Sequence, residues 1–219
     1  HTTTPQFMHW VYSNNAKVSD ADKIVIHRPE VLAALQAYKD IPPFSVEGAT
    51  AYEQNEIRAI FLDGKVGMIQ AGSGAAARLK DTKINWGVAP LPLGPSAKGE
   101  GTLLITDSLA VFKGTGVEEK AAEFAKYITS PGPQGENELQ VGAGLTPLRP
   151  SAKVDEFVKA DPSWKPFIDG IAFGGPEPLF TDYKGFQNSI IEMFLSVVTG
   201  KAEPEAALKT AAGAIESFK

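Results

Sequence analysis

Apolar residues in this chain recur mostly at helical spacing, in blocks closed off by proline and glycine. Pro29 can take the first turn of a helix over 29–40, with Val31, Leu35 and Tyr38 on one face, and Pro42-Pro43 forbids its continuation. Thr50 and Glu53 stand at capping-box spacing, Ile57, Ile60 and Phe61 give the stripe that follows, and Gly64 supplies the left-handed stop. Thr115 with Glu118 caps another helix, whose expected buried stripe is Ala121, Phe124, Ala125 and Ile128 and which Pro131 stops. Further helices are predicted over 134–141, 151–160, 185–199 and 204–218, the last with Pro204 in its first turn. Trp10 and Tyr12 sit in an apolar helical stretch near the start.

Between the helices, 65–70 is apolar enough for a buried strand, 85–89 reads as a short strand and 103–112 as an apolar segment. Alternating helices and short strands indicate an α/β class. Gly72, Ser73 and Gly74 then fall at the carboxyl end of the first strand, where bare backbone lets a ligand approach; a plain turn is the alternative. The Pro/Gly-rich runs 89–101 and 170–178 are loops and candidates for a cleft rim.

Composition narrows the function classes. Hydrophobic residues at 43% and charged residues at 21% are ordinary for a globular chain. The net charge is −5 and no Lys/Arg cluster is interleaved with aromatics, so no nucleic-acid partner is expected. The absence of cysteine excludes disulfides, thiolate nucleophiles and cysteine metal sites. His1, His9 and His27 have no second ligand at metal spacing, so no metal is expected. Gly72-Ser73-Gly74 lacks the frame of a nucleophile elbow or a phosphate loop. Asp20-Ala21-Asp22 lacks the rest of a calcium loop and reads as a polar turn. No catalytic residue and no cofactor are expected.

One stretch carries a resemblance. Phe61-Leu62-Asp63-Gly64-Lys65-Val66-Gly67-Met68, then Gly72-Ser73-Gly74, then Gly87-Val88-Ala89-Pro90-Leu91-Pro92 resembles the extracytoplasmic solute-binding proteins of ABC importers, carbohydrate-binding type. The tryptophan that closes the family's G-x-W is Gly74 here. Residues 99–112 are similar to its glycine-led returning strand, 117–129 to its E-x-A-x-x-F helix, 142–150 to its G-x-x-P-x-R loop and 200–212 to its terminal helix. The resemblance runs from about residue 5 to the end.

It implies the C-terminal lobe of a two-lobed periplasmic-binding-protein type fold, formed by 1–98 and 145–219. Residues 99–144 would be a crossover segment belonging to an N-terminal lobe expected to be missing, which makes the chain look like a fragment, a cleaved product or an expression piece. The implied partners are a small-molecule ligand, a carbohydrate by family, and a membrane permease, in a periplasmic or extracytoplasmic setting with membrane anchoring open in the full-length protein. Weak affinity and self-association are expected of the lobe alone.

A polar-ligand cleft needs aromatic faces, amides or carboxylates, and bare backbone. Gln6, in Thr4-Pro5-Gln6-Phe7, falls where the family often touches sugar; a solvated loop glutamine is its alternative. Trp10 is a cleft candidate against core packing. Gly101 and Thr102 match the family's lobe junction, against a simple strand entry, and Arg149 stands where a guanidinium could bind hydroxyls or an anion, against an exposed loop arginine. Gln187 occupies the place of a stacking tryptophan, and Tyr183 one turn before it is a substitute platform. The resulting expectation is a non-catalytic ligand-capturing protein working by hinge closure. The alternatives are a glycoside-acting enzyme using acids such as Glu100, Glu177 and Asp182, or an interaction fragment that binds no small molecule.

Overall fold

In the computed structural model, which describes residues 3–20, 23–79, 81–134, 136 and 152–218, helices dominate and strands are short. In chain order the elements are α1 (Thr3–Ser13), β1 (Ser19–Asp20), β2 (Lys23–Ile24), α2 (Pro29–Asp40), α3 (Gln54–Leu62), α4 (Ser73–Leu79), β3 (Thr102–Leu104), α5 (Glu118–Ile128), α6 (Ala152–Ala160), α7 (Lys165–Gly170), β4 (Gly174–Pro176), α8 (Tyr183–Val198) and α9 (Pro204–Ile215). The chain divides into two compact units, one of His1–Gln70, Pro90–Leu104 and Phe173–Lys219, the other of Ala71–Ala89 and Ile105–Ala172.

In the first unit α1, α2, α8 and α9 enclose the core. Phe7, Val31, Leu35, Phe186, Ile190 and Ile215 are all completely buried there. Helix ends follow the local chemistry. Pro29 and Pro204 occupy first turns, where a missing N–H costs nothing, and the Asp182 carboxylate caps α8 by accepting from Gly185 N–H at 2.8 Å. Gly64 and Gly200, at φ +69° and +71°, close α3 and α8 in Schellman geometry: Lys65 N–H donates to Ile60 C=O, and Lys201 N–H to Ser196 C=O. The box at the start of α3 is three residues on from the expected pair. Glu53 and Glu56 form it, the Glu53 N–H donating to Glu56 Oε2 at 2.7 Å, while Thr50 lies in a preceding 3₁₀ turn.

Two strand pairs complete this unit. β1 and β2 are antiparallel, and β3 runs parallel to β4 in the register Thr102↔Gly174, Leu103↔Gly175, Leu104↔Pro176. The strand in Gly174–Pro176 falls where a loop is expected from sequence. Conversely, 65–70 and 85–89 form no strand, Met68 is 90% exposed, and of 103–112 only the first two residues are paired. A strand exists through its neighbour's hydrogen bonds, and none runs beside these segments among the described residues.

In the second unit Ala75, Ala76 and Leu79 of α4 are buried, and the rings of Phe157 and Trp164 meet at 4.5 Å. Trp86 Nε1 donates to Leu79 C=O at 3.0 Å. The apolar stripe of α5 is not buried as expected, since Phe124 is 63% exposed. Residues 131–134 are helical, whereas most of the helix expected at 134–141, and Ser151, lie outside the described residues.

Candidate ligand-binding site

The parallel pair positions a polar and aromatic cluster within the first unit. β4 ends at Pro176, and Glu177 follows at its carboxyl end. The Tyr183 hydroxyl, at the start of α8, donates to Glu177 Oε1 at 2.8 Å. From α1, the Tyr12 hydroxyl donates to Pro176 C=O at 2.5 Å. Gly175 makes that approach possible, because a Cβ there would stand 2.2 Å from the Tyr12 ring. Burial and the Glu177 carboxylate push the Tyr183 hydroxyl up to about 12, and the Gln187 side chain, one turn along α8, opposes the rise. Burial and the Glu177 charge raise Tyr12 as well. All four side chains are half-buried, so they combine a packed base with an accessible rim.

Of the residues proposed from sequence, Gln187 joins this cluster, with its backbone carbonyl accepting from Thr4 Oγ1 at 3.3 Å. Gly101 and Thr102 lead into β3 beside it. A Cβ on Gly101 would stand 2.3 Å from the Tyr12 carbonyl oxygen, so this glycine serves close backbone packing against α1. Thr102 Oγ1 lies 2.7 Å from His9 Nδ1, which also accepts from Leu103 N–H at 3.2 Å. With Nδ1 accepting, His9 is neutral and carries its proton on Nε2. Desolvation by burial lowers its pKa to about 4.

Trp10 and Gln6 belong to a separate network. Gln70 Oε1 accepts from Trp10 Nε1 at 2.9 Å and lies 3.1 Å from the Tyr38 hydroxyl, while Gln70 Nε2 donates to Gln6 C=O at 3.1 Å. Tyr38 packs its ring against Trp10 at 5.3 Å and against Phe194 at 4.7 Å. Trp10 is therefore held as a strut between helices, and it is the backbone carbonyl of Gln6 that binds Gln70. Gly72, Ser73 and Gly74 lie in the second unit, where Gly72 precedes α4 and the other two open it, instead of ending a strand. Arg149 lies outside the described residues. Sequence reasoning singled out Gln187 and Tyr183, but treated Glu177 only as a candidate acid and Tyr12 only as part of an apolar helical stretch. The available signal was Glu177 set between Pro176 and Pro178, a carboxylate on a stiff tip. Among the described residues no group of three or more His, Asp or Glu side chains is placed to hold a metal ion.

The pattern of the bacterial extracellular solute-binding protein family matches residues 2–166. The chain belongs to that family. Among its relatives, a Brucella abortus (strain 2308) protein bearing the name of a binding protein is 27% identical over 197 residues, covering 87% of this chain and 46% of its own length. A Deinococcus radiodurans protein bearing the name of an ABC transporter-binding protein is 26% identical over 223 residues, with 97% and 52% covered. The chain thus spans about half the length of these curated relatives. Among solved structures, the cyclic α-maltosyl-1,6-maltose binding protein of Arthrobacter globiformis superposes with a TM-score of 0.80 at 22% identity, covering 98% of this chain and 55% of that one. Maltose-bound MalE3 of T. maritima gives 0.76 at 24% identity, with 98% and 57% covered. The fold is accordingly that of part of a two-lobed solute-binding protein, α/β in class. The family and these neighbours are binding proteins, and the family is extracellular.

Proposed function

We propose that the protein is the solute-capturing component of an ABC importer, taking a sugar or sugar derivative outside the cytoplasmic membrane and passing it to a membrane permease. Family membership through residues 2–166 carries this reading, and the structural neighbours with maltose and cyclic maltosyl ligands support the sugar. Two lobes closing on the ligand supply the mechanism, since contacts made by both at once favour the closed form. In this reading 1–98 and 145–219 belong to the C-terminal lobe and 99–144 crosses to the other. Exposed Leu109, Phe112 and Phe124 fit a surface that the whole protein covers and that drives self-association when it is bare. The cluster at Glu177 and Gln187 offers polar groups and aromatic rings of the kind a sugar needs.

Titration calorimetry of the full-length protein with maltose and related oligosaccharides, paired with small-angle scattering, tests this. Binding with a fall in radius of gyration is expected. Binding without compaction removes the closure mechanism, and hydrolysis of the sugar during titration overturns the non-catalytic reading.

A further inference from the structure

The hydrogen-bond valences around Glu177 are almost all spoken for on the donor side. Tyr183 has one hydroxyl proton and gives it to Glu177 Oε1; Tyr12 has one and gives it to the Pro176 carbonyl. The Gln187 amide lies close enough to the Tyr183 oxygen to oppose its raised pKa and brings the side-chain N–H donors of the cluster. What remains is acceptor capacity: Glu177 Oε2, lone pairs on both phenolic oxygens and the Gln187 amide oxygen. Among the described residues no lysine or arginine pairs with Glu177. The cluster therefore presents a carboxylate with no cationic partner among the described residues, beside two tyrosines, at the carboxyl end of β4.

We propose that Glu177, framed by Tyr12 and Tyr183, selects saccharides that present hydrogen-bond donors to it, hydroxyl or ammonium, and rejects sugars bearing carboxylate or phosphate. The inference rests on the capture reading above and narrows its ligand. A donor group on the sugar completes the open valences of a charged acceptor, which is the stronger kind of hydrogen bond. An anionic group brought to the same place meets like charge, with only the Gln187 amide among these four side chains to offset it.

The test is calorimetry of the full-length protein with maltose, diglucosamine, maltobionate and maltose phosphate at low salt, on wild type, Glu177→Gln and Tyr183→Phe. The better of the two donor sugars should bind at least about tenfold more tightly than either acidic one, the loss that attends an unmade hydrogen bond to a charged group. Glu177→Gln should compress that ratio to within about threefold by removing the like-charge contact. Tyr183→Phe keeps the carboxylate and should keep the discrimination. An acidic sugar binding as tightly as the donors, a ratio that survives Glu177→Gln, or its loss in Tyr183→Phe would overturn the role of Glu177 while leaving sugar capture standing. Absence of binding by all four sugars would instead overturn saccharide capture, and this inference with it.

Discussion

Leu103 N–H donates to Nδ1 of His9 at 3.2 Å, tying β3 to α1 through a ring that must stay neutral to accept. Thr102 Oγ1 stands 2.7 Å from the same nitrogen, so protonation there would set a new N–H against the Leu103 donor. The folded pKa is lowered to about 4 from 6.5 by burial. Between those values the unfolded chain binds a proton that the folded chain does not. Stability should therefore be full above pH 6.5, fall as the pH drops from 6.5 to 4, and lose no more through this group below 4, by about 3 kcal/mol at most. Urea melts at pH 7, 5.5 and 4.5 check this. Carboxylates titrate in both proteins, so the difference between wild type and His9→Asn isolates the imidazole, and a flat difference would contradict it.

Gln70 satisfies groups on α1 and α2 at once. Gln70→Ala strands the Trp10 indole N–H, while the Gln6 carbonyl keeps the Tyr38 hydroxyl, and should cost about 2 kcal/mol. Trp10→Phe, which removes the indole donor while keeping a ring against Tyr38, should cost about half as much. Equilibrium denaturation ranks the two variants.

Gly101 and Gly99 lie in the same connecting run but in different surroundings. A Cβ at 101 meets the Tyr12 carbonyl at 2.3 Å, whereas one at 99 meets nothing within 4 Å. Gly101→Ala should lower stability by about 1–3 kcal/mol, through overpacking against backbone that cannot swing aside. Gly99→Ala should stay within about 0.5 kcal/mol of wild type. Thermal melts of the pair separate the two cases.

Gly74 lies in the first turn of α4, where an added Cβ would have only the tip of Arg78 near, at 3.9 Å. Gly74→Ala should stabilise the helix by about 0.5–1 kcal/mol. If Gly74 lines the ligand path as its family position implies, the same variant should bind sugar more weakly in calorimetry while melting higher. Unchanged affinity would return Gly74 to a purely structural role.

The helices were legible because their punctuation is local. Pro29, Gly64 and Pro204 act through their own backbone, and each marks a boundary at or next to the expected residue. Strands were not, since Gly174–Pro176 carries no apolar alternation and becomes a strand only because Thr102–Leu104 lies beside it. The same reason hid most of the candidate site. Gln187 stood out by its place in a motif, but Glu177, Tyr12 and Tyr183 converge only after β4 pairs and α1 packs over it. His9, weighed from sequence only as a metal ligand, takes its role from a residue 94 positions away.

Helix α1 is made long before the helices that complete its packing. Thr4 bonds to Gln187 across 183 residues of chain, and Phe7 and Met8 share a core with Phe186 and Ile190. A ribosome adding about 5–20 residues per second leaves this apolar face without its partners for roughly 10–40 s. Through that interval the nascent chain stays open to a chaperone or a translocation channel, and this core closes only when α8 and α9 have emerged.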